Sequence, residues 1–146
     1  MLKYDFMIRA ETKIRVRYGE TDQMGYVYYG NYAQYYEVGR VEAMRQLGLS
    51  YKAMEISGIM MPVLSFNIKY IKPAYYDDLL TIKTSILELP KLRIIFNYET
   101  FNQEGVLLNV GETTLVFVDK VKNKTCVPPE FFFQSLKGYF LANVKD

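Results

Sequence analysis

The sequence predicts an α+β fold: a five-stranded antiparallel sheet wrapped around one long helix. Three observations carry this expectation. The hydrophobic period is two in a short opening run, changes to a helical period over one long stretch, and returns to two for the rest of the chain. Turn signals rich in Pro, Gly, Asp and Asn cut that last part into four runs. Finally, 146 residues of which 50% are hydrophobic suffice for one core, so a single domain over 1–146 is expected, with no linker or internal repeat.

Lys13-Ile14-Arg15-Val16-Arg17-Tyr18 alternates apolar and basic residues, the pattern of a strand with one buried face. Tyr32 to Leu47 reads as the helix, because Tyr32, Tyr36, Gly39, Ala43 and Leu47 form one stripe at spacings of four and three. Small Gly39 and Ala43 in that stripe let the helix axis lie close to a sheet. Gln34, Glu37 and Arg45 fall on the far side. Gly48 supplies the stop, and Ser50 caps a short second helix running to Ser57-Gly58. From Pro62, Leu64, Phe66, Ile68 and Tyr70 alternate with polar residues. Pro73 to Asp78 breaks the run, Leu79 to Glu88 resumes it, and Leu89-Pro90 breaks it again. Leu92 to Asn102 and Val106 to Asp119 form a long hairpin about Gln103-Glu104-Gly105. Lys120 to Lys124 is a loop, and Pro129 opens a short closing helix through Leu136. Read in this way the last four strands meander. A single sheet leaves an edge open, and pairing such edges across a two-fold removes the exposure, so a homodimer or homotetramer is expected.

Composition narrows the chemistry. A net charge of +2, from interspersed Lys and Arg, lacks the basic block of a nucleic-acid binder. No stretch approaches a membrane span, and residues 1–6 show no apolar leader, so a cytoplasmic protein is expected. The lone Cys126 has no disulfide partner and reads as a small turn-lining or buried thiol. The chain contains no histidine. That removes Ser-His-Asp and Cys-His nucleophile systems and imidazole zinc sites, and one Cys cannot build a thiolate zinc site. Acid–base work falls to Asp, Glu, Tyr or Lys. No phosphate-binding glycine loop or dinucleotide fingerprint is present, and no metal or cofactor is called for.

Glu20 to Tyr32, between the first strand and the long helix, concentrates what remains: an acid, a glycine and many aromatics. A helix start presents N–H groups without internal partners. Asp22 is therefore open to two readings. It is a turn-forming Asp, or it is a carboxylate that attacks a carbonyl or activates water while the Tyr29 N–H receives the oxyanion. Gly25 permits a close turn. Tyr28 and Tyr29 are the aromatics expected nearest a ligand, with core packing the alternative for the others. Glu37 is a second carboxylate that could serve as an alternative general base, but its place on the far side of the helix favours a solvent-facing role; Glu99 and Glu112 read as ion-pair or interface residues. Lys91, Arg93, Lys120, Lys122 and Lys124 are scattered cations that suit phosphates or need no function.

The run Arg17-Tyr18-Gly19-Glu20-Thr21-Asp22-Gln23-Met24-Gly25-Tyr26-Val27-Tyr28-Tyr29-Gly30-Asn31-Tyr32 resembles the signature of hotdog-fold acyl-CoA thioesterases of the hydroxybenzoyl-CoA thioesterase type. Tyr70 to Leu79 and the hairpin ending Val116-Phe117-Val118-Asp119 match in order, so the resemblance spans about Thr12 to Leu136. The chain is also similar to the bacterial branch associated with the Tol-Pal cell-envelope system. The resemblance implies a hotdog fold, hydrolysis of an acyl-CoA thioester, and a site shared between two subunits. It implies that Asp22 is the catalytic carboxylate and that Tyr29 donates its backbone N–H to the thioester carbonyl. Gly25, Tyr28, Asn31 and Tyr32 fall in the matched motif and are expected to bind substrate, and Lys91 and Arg93 lie near the positions of coenzyme A phosphate ligands. Relatives in the bacterial branch often carry His at the Tyr29 position; a backbone role survives that change. A non-catalytic binder of acyl-CoA or acyl-carrier protein is the competing expectation.

Overall fold

In the computed structural model, residues 8–142 are described; residues 1–6, where no leader is expected, lie outside that range, as do residue 7 and residues 143–146. β1 (Ile8–Arg15) leads through a long loop into α1 (Tyr32–Gln46), followed by α2 (Tyr51–Ser57), β2 (Ile59–Met60), β3 (Val63–Tyr70), β4 (Leu79–Ile86), β5 (Arg93–Phe101) and β6 (Leu107–Val116). β7 (Val118–Asp119), β8 (Lys124–Thr125) and α3 (Glu130–Ala142) complete the order. The main sheet has five antiparallel strands in the order β1-β4-β5-β6-β3, with α1 packed against β1, β4 and β5.

The helix stripe packs as the spacing requires. Tyr32, Tyr36, Gly39 and Ala43 are all buried, and Tyr35, Arg40 and Met44 widen the buried face. Gly39 lets the helix lie close to β4: a Cβ there would lie 2.7 Å from Thr84 Oγ1 and 2.9 Å from Ile82 Cγ2. Beneath the helix, Leu80, Ile82, Phe96, Tyr98, Leu108 and Leu115 form the sheet's inner face. Each such side chain contributes roughly 1.5–3 kcal/mol on burial. Ser50 caps α2 by accepting the Ala53 N–H at 3.0 Å, and Gly58 ends it with φ at 79°. Among the described residues no helix is long and apolar enough to cross a membrane.

Four features differ from the sequence-based expectation. The first strand begins earlier and ends at Arg15, because the Arg17 N–H is captured by Glu20 Oε1 at 2.8 Å and Tyr18–Glu20 coils into a 3₁₀ turn. The later strands do not simply meander: β3 pairs with β6, and the chain then crosses to β4, between β1 and β5. The long last strand divides at Phe117, whose fully buried ring packs edge-on against Phe132. Beyond it β7 joins β2 and β8 in a second, three-stranded sheet. Last, α3 runs past Leu136, since Phe132, Leu136 and Phe140 continue one buried stripe at a spacing of four.

The crossover after β3, residues 71–78, positions the candidate site. The Ile71 and Lys72 N–H groups both donate to Leu108 O, at 2.8 and 2.9 Å. Ala74 O accepts the Val27 N–H at 2.8 Å, Tyr26 and Tyr75 form an isolated β-bridge, and Asp78 O accepts the Val16 N–H at 2.9 Å. The crossover thereby binds the far side of the loop between β1 and α1.

Candidate active site

The loop between β1 and α1 closes on itself through a bridge between Thr21 and Val27. Inside it the Asp22 N–H donates to Tyr26 O at 2.8 Å, and the Gly25 N–H donates to Asp22 O at 3.0 Å. Gly25 has φ at 80°, a left-handed conformation that side chains disfavour. Asp22 Oδ1 accepts the Met24 N–H at 2.9 Å and the Tyr26 N–H at 3.3 Å. The turn reading of Asp22 is therefore correct for one of its oxygens. Among the described residues Oδ2 has no hydrogen-bond partner.

At Tyr29 the chain enters a 3₁₀ turn, Tyr29–Asn31, that runs directly into α1. Tyr28 O accepts the Asn31 N–H at 2.9 Å. Tyr28 O and the Tyr29 N–H belong to one planar trans peptide and point in opposite directions. Fixing the carbonyl toward the helix thus turns the Tyr29 N–H away from it. No protein acceptor for that N–H is found among the described residues. The next carbonyl is fixed too, because the Tyr70 OH donates to Tyr29 O at 2.9 Å.

Asp22 and Tyr29 line one cavity of about 280 Å³, with Met24, Tyr26, Val27, Tyr32, Tyr70, Ile71, Lys72 and Pro73. Four tyrosines thus form much of its wall, and its charged residues are Asp22 and Lys72. Burial pushes the Tyr32 phenol up to about 12, so it is a neutral wall at ordinary pH.

Of the residues singled out in the sequence, Asp22, Tyr29 and Tyr32 meet here. Gly25 shapes the turn beside them. Tyr28 packs its ring against that of Tyr29, with centroids 4.6 Å apart, and is not part of the cavity wall. The Asn31 amide donates to Glu20 O at 2.7 Å and braces the loop. Lys91 and Arg93 do not line this cavity; Arg93 lies at a separate hollow of about 220 Å³ with Glu88 and Glu112. Sequence reasoning passed over Tyr70 and Lys72, which arrive by way of β3 and the crossover. The Tyr70-to-Leu79 match was the available signal.

The family model for the thioesterase-like superfamily matches residues 16–136. Over 111 residues the chain is 37% identical to a putative acyl-CoA thioesterase, YneP, of Bacillus subtilis, covering 76% of this chain and 80% of that protein. It is 32% identical over 124 residues to the acyl-CoA thioester hydrolase YbgC of Escherichia coli O157:H7, covering 85% and 92% of the two chains. Among solved structures, a DHNA-CoA thioesterase from Staphylococcus aureus superposes with a TM-score of 0.82 at 34% identity, over 92% of this chain and 89% of that one. With the fold, the loop motif and the matched length in agreement, the chain belongs to the thioesterase-like superfamily, a family of hotdog-fold thioester hydrolases.

Proposed function

We propose that the protein hydrolyses the thioester of a small or medium acyl- or aryl-CoA to the free acid and coenzyme A. The observation that carries this reading is the pairing, in one cavity, of the Asp22 carboxylate with the first peptide of the helix, whose N–H has no protein partner among the described residues. As general base, Asp22 takes a proton from water while the water oxygen bonds to the thioester carbon. The carbonyl π pair moves to oxygen, where the Tyr29 N–H receives it. Collapse breaks the C–S bond, the sulfur leaves with the bonding pair as thiolate, and the proton held by Asp22 ends on it. As nucleophile, Asp22 forms the bond itself, expels the thiolate and is freed when water opens the anhydride. A thiolate is a good leaving group, so neither route needs histidine. General-base help is worth roughly 10²–10⁴ in rate, and an oxyanion donor roughly 10²–10³.

The cavity lies just below the roughly 300–1,000 Å³ common for ligand pockets, which suits a short or aryl acyl group against tyrosine walls. Lys72 supplies a cation at the same cavity for coenzyme A phosphates. Lys91 and Arg93, off the cavity within one chain, fit this role as contributions from a second protomer.

The test is thiol release from a panel of acyl- and aryl-CoA thioesters. Asp22→Asn is expected to lose roughly 10²–10⁴ in kcat. Absence of release by the wild type, or full activity in Asp22→Asn, overturns the proposal. One observation favours a second reading: the two N–H groups on Asp22 Oδ1 are those of a purely structural turn. A non-catalytic acyl-CoA or acyl-carrier-protein binder predicts a rise in melting temperature with coenzyme A esters and no turnover.

A further inference from the structure

We propose that Glu20, which lies outside the cavity, is a positioning residue for this reaction: its side chain fixes the peptide that presents the Tyr29 N–H. The inference rests on the thioesterase reading above and adds a residue to it. Glu20 is bonded in three directions. Its Oε1 accepts the Arg17 N–H at 2.8 Å and the Tyr35 OH at 2.9 Å. Its Oε2 accepts Arg17 Nη2 at 2.9 Å and Arg17 Nε at 3.2 Å. Its carbonyl accepts the Tyr28 N–H at 2.9 Å and the Asn31 amide at 2.7 Å.

These bonds have one geometric consequence. Tyr35 stands in the first turn of α1 and is 3% exposed, so its hydroxyl is a fixed point on the helix. The Glu20 carboxylate ties the 3₁₀ turn Tyr18–Glu20 to that point. With the side chain held, the Glu20 carbonyl is aimed at residues 28 and 31, the two residues flanking the 29–30 segment. The Tyr28 N–H to Glu20 O bond and the Asn31 N–H to Tyr28 O bond then fix Tyr28 at both of its backbone groups. The peptide between Tyr28 and Tyr29 has little freedom left to rotate. An oxyanion donor works by being aimed before charge develops, and a shift on the order of 1 Å at such a group costs roughly 10²-fold in rate.

A carboxylate that only stapled a surface loop would affect stability and leave turnover per folded molecule unchanged. Positioning predicts a loss in kcat with KM held, because the donor is used most in the transition state. The experiment measures kcat, KM and melting temperature for the wild type, Glu20→Ala, Tyr35→Phe and the double variant, on the best thioester of the panel. Glu20→Ala removes every side-chain acceptor at this position and is expected to lower kcat about tenfold or more with KM within about twofold. Tyr35→Phe removes one hydroxyl from the same chain of contacts and is expected to lower kcat about threefold or more. The double variant is expected to be no worse than about Glu20→Ala alone, since both act through one path. Unchanged kcat in Glu20→Ala, or additive losses in the double variant, overturns the inference while wild-type turnover keeps the thioesterase reading. If Glu20→Ala does not fold, Tyr35→Phe decides: a kcat loss at constant KM supports the inference, and wild-type kcat overturns it. No thiol release by the wild type on any thioester removes the underlying reading instead.

Discussion

Tyr32 joins the cavity wall to the core, and that position has a consequence for stability. It is 2% exposed, and burial pushes its phenol up to about 12, against roughly 10 in an unfolded chain. Between those values the unfolded chain loses a proton that the folded chain retains, so stability falls as pH rises through this window and is unaffected below it. The loss at pH 12 from this group is about 2 kcal/mol. Tyr35 and Tyr36 are raised in the same direction, chiefly by burial, and steepen the fall. Urea midpoints measured from pH 8 to 11.5 are expected to drop above about pH 10, and to drop less in Tyr32→Phe. An identical slope in that variant would place the origin elsewhere. At this scale the placement of residues was legible in the sequence where they lie close together in the chain. Asp22, Tyr29 and Tyr32 sit in one short motif, so a loop and a helix start suffice to bring them together. Tyr70 and Lys72 reach the cavity only through the strand order, and a linear pattern does not contain that order. Glu20 was in view, but its importance lies in the carbonyl and carboxylate partners that folding supplies.

At the level of elements, the packing of α1 was legible because it depends on side-chain size. Gly39 and Ala43 in the stripe forecast a close approach, and Gly39 has no room for a Cβ beside Thr84 and Ile82. The matching constraint from the sheet side was not visible. Gly111 on β6 lies under the Tyr36 ring, which stacks on Tyr98 at 4.2 Å with planes 4° apart. Tyr36 is also held by Asn109 Oδ1, which accepts its hydroxyl proton at 2.5 Å. A methyl at Gly111 overlaps a ring that has nowhere to move, and Gly111→Ala is expected to cost about 1–3 kcal/mol. Gly138 in α3 gives the contrast: nothing lies within 4 Å of its added Cβ, and the residue is helical and exposed. Gly138→Ala is expected to stabilise by about 0.5–1 kcal/mol through helix propensity. Chemical denaturation of the two variants checks both signs, and equal effects would contradict the packing argument. The crossover from β3 to β4 stayed hidden because Pro73 to Asp78 carries the composition of any turn. What distinguishes it is where its backbone groups are bonded: to Leu108, Val27 and Val16.

At the scale of the whole molecule, the main sheet presents two edges among the described residues, β1 and β3, and they are unequal. On β1, Ile8 and Ala10 are buried and the alternate residues are charged or partly covered. On β3, all residues but Ile68 are exposed, and Val63, Leu64, Phe66 and Tyr70 stand 41–52% exposed. An edge with unpaired backbone groups and apolar side chains is a template for another strand, and natural proteins usually cover such edges or charge them. A second copy of this chain placed on β3 across a two-fold would cover it with an identical edge. Tyr70 then matters twice, since it ends that strand and its hydroxyl holds Tyr29 O beside the cavity. The expected species is therefore a homodimer of the 17.1 kDa chain, or a tetramer assembled from such dimers. Sedimentation velocity at tens of micromolar is expected to show at least twice the monomer mass for the wild type. Leu64→Lys places a strongly hydrated charge on the edge and is expected to shift the population toward monomer with far-UV circular dichroism retained. A monomeric wild type, or a Leu64→Lys variant that assembles as tightly as the wild type, would show that β3 is not the joining edge. Dissociation accompanied by lost turnover would add that the site needs the second protomer, as expected if Lys91 and Arg93 act across the interface.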